Sequence, residues 1–306
     1  MEAAVTERLE AVRVWLLGGF QVAVGSRTLG AKQWRLRKAA DLIKVLSLAP
    51  EHRLPRERAM ELLWPDSGRE AASNNLRQAL YVSRKALGEG GSRYLASEDR
   101  SLALSPENEL WIDVEAFEEA TALARRSRNP AAYRAALELY TGDLLPEDPY
   151  EEWAEGRRGH LRRLYLALLI ELARLNEERG DYGPAVEALR RAVAEEPTNE
   201  ATHAGLMHVY ALSGRRRDAL AQYERLREAL SGPPGAEPGV TIRRLRDEIA
   251  LDGRLSTKNL PAGEVTPEAG GHNLPAQRTS FIGREREIVE VERALAIEQQ
   301  PWTTPG

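Results

Sequence analysis

The sequence predicts a mainly α protein with a small β component, on three observations. Short β-rich runs are confined to the start of the chain and to one later hairpin signal. Elsewhere apolar residues recur three or four apart, the spacing of one helix face. Beyond residue 113 one helical pattern repeats at a constant offset. With 306 residues, 42% apolar and 29% charged, the chain has room for two domains and the composition of an ordinary folded protein rather than a disordered or fibrous one.

The first element is a small antiparallel sheet. In VRVWLLGGFQVAVGSRTL, Val12 to Leu17 and Phe20 to Val24 are separated by Gly18-Gly19 and followed by the turn Gly25-Ser26. A first helix follows, with Leu36, Ala39, Ala40, Ile43, Leu46 and Leu48 on its face and Pro50 at its end. A second, Pro55 to Trp64, begins with proline in its first turn, where the missing N–H costs nothing, and stops before PDSG. The third is ASNNLRQALYVSRKALG, Ala72 to Gly88. Behind it, Tyr94 to Ala96 and Ser101 to Leu104 flank the polar tip SEDR as a β-hairpin. This order is that of a winged helix-turn-helix with an N-terminal sheet, placed at residues 12–107.

From Asp113 to about Ala250 the pattern is helical. Leu172/Leu206, Gly180/Gly214, Ala185/Ala219, Leu189/Tyr223 and Ala192/Leu226 are each 34 apart, the tetratricopeptide period, with small residues where paired helices approach and glycine at the turn. Residues 108–252 are therefore expected to form a tetratricopeptide-like α-helical array, with an earlier, degenerate unit over Val114 to Tyr140 and units closed by Pro197 and Pro238. SGPPGAEPG breaks the chain before a last helix, Thr241 to Leu251, and residues 253–277 read as a linker.

The third helix has an unusual polar face. With Leu76 at the centre of one face, Ala72, Ala79, Leu80, Ser83 and Leu87 lie beside it, while Asn74, Gln78, Tyr81 and Lys85 lie opposite, flanked by Arg77 and Arg84. A solvated face is the plain explanation, but such faces mix signs, and no carboxylate occurs between Ala71 and Leu87. Asn and Gln amides can bridge adenine N6 and N7, and Arg can bridge guanine O6 and N7. The helix also follows a short helix and a turn, as a recognition helix follows its support. Asn74, Arg77, Gln78 and Tyr81 are the expected base contacts. Lys32, Arg35, Arg37 and Lys38 before and within the first helix, Lys85, and Arg100 at the hairpin tip are the expected phosphate contacts, with Arg53, Arg56 and Arg58 as a second basic cluster. The charge distribution agrees. Residues 12–107 hold 16 basic and 10 acidic side chains, residues 108–258 hold 22 and 27.

VWLLGGFQV, LLWPDSGREAASNNLRQALYVSRKALG, WIDVEAFEEA, YTGDLLPEDPYEEWAEGRR and GVTIRRLRDEI together resemble the SARP family of regulators, over residues 12 to 252. The resemblance implies an OmpR-like winged helix followed by a bacterial transcriptional activator domain. It implies a transcription activator that binds double-stranded promoter DNA on repeated sites, with RNA polymerase as a partner and homo-oligomers possible on the DNA. Its recognition helix falls on Ala71 to Leu87. NLPAQRTSFIGREREIVEVERAL is similar to the entry of a STAND-type NTPase module, so residues 278–306 are expected to be its truncated start. No G-x-x-x-x-G-K-[ST] loop occurs in the sequence, and no nucleotide or other cofactor is expected.

Two other functions compete. For an enzyme, His52, His160, His203, His208 and His272 show no metal-ligand spacing, no cysteine is present, and the acidic run Glu147, Asp148, Glu151, Glu152 suits a helix start whose dipole it complements. No catalytic or metal site is expected. For a pure interaction scaffold, Tyr182, Tyr210 and Tyr223 are candidates to line a groove, although tyrosine at these repeat positions more commonly packs between helices. The acidic N-terminus lacks a signal peptide's positive charge and no apolar run reaches about 18 residues, which leads to an expected cytoplasmic location without membrane contact. No phospho-receiver domain precedes Val12.

Overall fold

The computed structural model describes residues 11–98, 100–105, 109–232 and 235–251. The sequence-predicted linker and NTPase start, residues 253–306, lie outside them, as does His272. The chain is mainly α with two small sheets, a winged helix-turn-helix followed by a helical array.

The first sheet has strands β1 (Val12–Trp15), β2 (Gln21–Val24), β3 (Arg27–Gly30) and β7 (Leu110–Ile112) in the order β3-β2-β1-β7. β1, β2 and β3 form the antiparallel meander that the glycine turns announce. β7 adds to the other side of β1 in parallel, Val12 opposite Leu110 and Val14 opposite Ile112. The sequence pattern does not show β3 and β7. Each is three or four residues long and too polar or too short to show the alternation by which a strand is recognised.

α1 (Arg37–Leu48) is followed by β4 (Arg53–Pro55), α2 (Arg56–Leu63) and α3 (Arg69–Leu87), and packs against both helices. A helical turn, α4 (Gly91–Tyr94), leads into the wing hairpin β5 (Leu95–Glu98) and β6 (Ser101–Leu104). β4 completes a three-stranded sheet, β4-β6-β5. Tyr94 lies in the helical turn instead of the strand, and the hairpin starts one residue later than expected.

α1 is buried on more than one side. Besides its apolar face, Asp41, Lys44 and Ser47 are buried. The reason is a second packing partner, which comes from the helical half.

That half pairs α5 (Asp113–Ser127) with α6 (Pro130–Leu139), α7 (Glu152–Glu178) with α8 (Tyr182–Glu195), and α9 (Glu200–Leu212) with α10 (Arg216–Leu230), followed by α11 (Val240–Leu251). The 34-residue offset has a backbone basis. Gly180 and Gly214 close α7 and α9 with φ of 78° and 76°, a left-handed turn that glycine enters without a Cβ clash. Tyr210 and Tyr223 are buried in the helix packing.

The two halves share one hydrophobic core. Between α6 and α7 the chain runs along the end of β1. Leu17 bridges to Leu144, the Leu145 N–H donates to Leu16 O at 2.8 Å, and the Gly18 N–H donates to Asp143 O at 3.0 Å. Among the described residues no helix is long and apolar enough to cross a membrane.

Candidate nucleic-acid interface

α3 starts after Gly68, with Glu70 in its first turn, and ends at Gly88, whose φ is 92°. Its buried residues are Ala72, Leu76, Ala79, Leu80, Ser83 and Leu87, the face assigned from the sequence. Asn74, Arg77, Gln78, Tyr81 and Lys85 are all exposed. Tyr81 is 65% exposed, although a free aromatic ring gains by burial. At 1.5 Å per residue the stripe from Asn74 to Lys85 extends about 16 Å, the width of a major groove and its rims. None of the five makes a hydrogen bond or ion pair among the described residues.

The inner side of α3 is fixed at several points. The Ser83 hydroxyl lies 2.9 Å from Ala39 O, which sets α3 against the first turn of α1. Arg84 Nε donates to Leu95 O at 3.0 Å and ties the helix to the wing. Arg27, from β3, donates to Ala86 O at 2.8 Å. A cation at a helix C-terminus complements its dipole and satisfies a carbonyl left free by the end of the helix. Gly91 lies so close to the Arg84 carbonyl that a Cβ there would collide with it. The sequence pattern gives no sign of Arg27 and places Arg84 only at the flank of the outer face. Nothing local marks either residue, because the acceptors are 59 and 11 residues away.

The expected phosphate contacts divide into two groups. Lys32, Arg35 and Arg100 are exposed, as is Lys85, and have no partner among the described residues. Arg37 and Lys38 are placed otherwise. Arg37 lies 3.0 Å from Asp148 and 3.1 Å from Glu151, and Lys38 lies 3.5 Å from Asp41 and 3.9 Å from Glu151. The second basic cluster is also engaged: Arg53 with Glu98 at 3.6 Å, Arg56 with the Ser97 hydroxyl at 2.8 Å, and Arg58 with Glu61 at 3.0 Å. Arg53 and Arg56 thus brace the wing.

Beneath Arg37 and Lys38 lies a buried ion pair. Lys44, 3% exposed, bonds Asp148 and lies 3.4 Å from Asp41. Burial pushes the Asp41 carboxyl up, against the pull of Lys44 and Lys38. The acidic run therefore serves the junction as well as a helix start, with Glu151 as the N-cap of α7 and Glu152 as its first residue. Glu147 accepts the Phe20 N–H at 2.7 Å, Asp148 and Glu151 hold α1, and Glu152 alone is left in the first turn of α7. Asp113, the first residue of α5, accepts the Leu16 and Leu17 N–H groups at 2.9 and 2.8 Å. Burial raises its carboxyl to about 6, and the two backbone donors oppose the rise.

The described histidines are held within the fold. His52 faces Glu115 at 3.5 Å, His160 faces Glu118 at 3.6 Å, His208 faces Glu177 at 3.3 Å, and His203 bonds Pro197 O at 3.0 Å. Burial lowers the His203 imidazole. Among the described residues no group of three or more His, Asp or Glu could hold a metal ion.

Residues 112–250 match the family model described as the bacterial transcriptional activator domain. The transcriptional regulatory protein EmbR of Mycobacterium tuberculosis, and that of Mycobacterium bovis, is 28% identical over 218 residues, which are 66% of this chain and 55% of EmbR. The chain is thus similar to proteins of bacterial transcriptional regulation, over the activator domain and over the stretch shared with EmbR. A solved structure of M. tuberculosis EmbR in complex with a low affinity phosphopeptide superposes with a TM-score of 0.61 and 22% identity, covering 80% of this chain and 67% of that one. At that identity the likeness concerns the fold: a β-rich N-terminal part followed by helices. The chain spans about half the length of the curated relatives it matches.

Proposed function

We infer that this chain is a sequence-specific DNA-binding transcriptional regulator acting as an activator. The exposed stripe of α3 carries the reading: five polar, carboxylate-free side chains on one face, without partners among the described residues, on a helix braced from behind by a support helix, a wing and Arg27. Asn74, Arg77, Gln78 and Tyr81 reach base edges of a major groove. Lys32, Arg35, Lys85 and Arg100 take phosphates on either side. The helical array faces RNA polymerase or another protein, and repeated sites bring further copies of the chain alongside. Residues 12–107 form the DNA-binding domain and residues 108–252 the activator domain, followed by a linker over 253–277 and the start of an NTPase module at 278–306. No catalytic step belongs to this scheme, and the location is the cytoplasm, where promoter DNA is.

The test is binding of the full chain to duplex fragments from around its own gene, against random duplex, at two salt concentrations. Electrostatic affinity falls steeply with salt, whereas base recognition does not. A fragment bound more tightly than random DNA at both salts supports the reading. Equal binding throughout removes it and leaves the helical array as the functional part.

A further inference from the structure

Arg37 and Lys38 are in an odd position for side chains expected to contact phosphates. They sit in the first turn of α1, which the Ser83 contact sets against the C-terminal half of α3, yet both are paired with carboxylates, Arg37 with Asp148 and Glu151, and Lys38 with Glu151 and with Asp41 of its own helix. The two kinds of pairing there differ in depth. Lys44 and Asp148 are almost fully buried. Breaking such a pair leaves an uncompensated charge, so it is a fixed anchor. The Arg37 side chain is 65% exposed and that of Lys38 31%. Pairs with a solvent-exposed cation are weaker than buried ones and exchange partners more readily. Lys44 stays between Asp148 and Asp41 when the outer two cations leave, so neither buried carboxylate loses its last cation.

We propose that Glu151, with the outer edge of Asp148, is an exchangeable latch that holds Arg37 and Lys38 away from duplex DNA, and that DNA phosphates take these two cations over on binding. The proposal rests on the DNA-binding reading above and adds a regulatory contact to it. The activator domain competes with DNA for two phosphate ligands, so any partner that shifts residues 148–151 alters DNA affinity without touching α3. Glu151 also has a reporter beside it, because Trp153 Nε1 donates to its other oxygen at 2.8 Å.

Three variants and one signal test it. Glu151→Gln removes the latch charge but keeps the shape. Glu152→Gln makes the same charge change one residue on, at an exposed glutamate with no ion-pair partner among the described residues. The expected result is that Glu151→Gln tightens binding to random duplex by about 3- to 10-fold, that Glu152→Gln changes it less than about 2-fold, and that the gain vanishes when Arg37→Gln and Lys38→Gln are added. Equal effects of the two glutamate variants, or a gain that survives loss of both cations, overturn the latch. Independently of how the triple variant folds, 19F NMR of the unmutated chain carrying 5-fluorotryptophan reads the same event. The Trp153 resonance, assigned by Trp153→Phe, should shift on saturation with duplex followed by anisotropy. Saturable DNA binding with that resonance unmoved rejects the latch and leaves the DNA-binding reading standing, whereas no binding to any duplex rejects both.

Discussion

Gln78 and Lys85 sit two turns apart on one helix face and are expected to fail differently. An amide that bridges a base edge discriminates by about 1 to 3 kcal/mol, so Gln78→Ala should relax preference at one base pair and leave random-duplex affinity nearly unchanged. Lys85→Ala should weaken specific and random duplex alike and lower the slope of log K against log salt by about 0.9. Titrations of each variant over four salt concentrations separate the two, and equal losses on both DNAs from Gln78→Ala would refute its role. Asp113 gives a prediction in pH. Its folded carboxyl, at about 6, lies above the ordinary value. The charged form is therefore disfavoured by folding, and the side chain's contribution is most favourable at low pH and is lost as pH rises from about 4 through 6. That difference corresponds to up to about 3 kcal/mol. Urea unfolding of the parent and Asp113→Asn at pH 4.5 and 7.5 should show the parent gaining on the variant at the lower pH. A gap that stays constant, or widens against the parent in acid, shows that Asp113 does not titrate in this window.

At the scale of the element, α3 is legible in the sequence and its setting is not. Its apolar stripe at three- and four-residue spacing specifies which face is buried, and Asn74, Gln78 and Tyr81 then fall outward by geometry alone. The helix begins two or three residues before the expected start because Arg69 and Glu70 carry no apolar signal. Its braces come from β3 and β5, which no periodicity within the helix reveals. Gly91 makes the bracing testable. Gly91→Ala drives a Cβ into the Arg84 carbonyl and should cost upwards of about 2 kcal/mol, because backbone must move to relieve it. Gly156→Ala is the counterpart. That glycine lies inside α7 with nothing within 4 Å of where an added methyl would stand, and replacement should stabilise by about 0.5 to 1 kcal/mol. Thermal melts of the two variants should move in opposite directions.

For the whole molecule, the junction decides how many units unfold. The sequence presents residues 12–107 as a domain in their own right, yet Asp113 satisfies two N–H groups of their sheet and Asp148 neutralises their Lys44. Acidic side chains in a run look alike in a sequence, and only the fold reveals that their partners lie about a hundred residues upstream. Lys44 is the clue that the sequence does hold: a cation flanked on both sides by apolar residues, in LIKVL, calls for a buried counter-charge. Lys44→Ala should cost about 3 to 5 kcal/mol by leaving Asp148 and Asp41 without their shared cation, while Lys44→Met with Asp148→Leu should recover part of that loss, Asp41 keeping Lys38. Urea denaturation followed by tryptophan fluorescence should give a single transition for the two halves, and two separated transitions would contradict a shared core. The passage from β7 to α5 carries a further consequence. Ile112 ends the sheet and Asp113 begins the helix, so the two halves meet without a residue of slack. If the chain reads DNA as proposed, it cannot turn its other half to find a neighbour: where the array meets a partner at a promoter, about five extra base pairs between their sites place it on the far side of the duplex, and about ten bring it back.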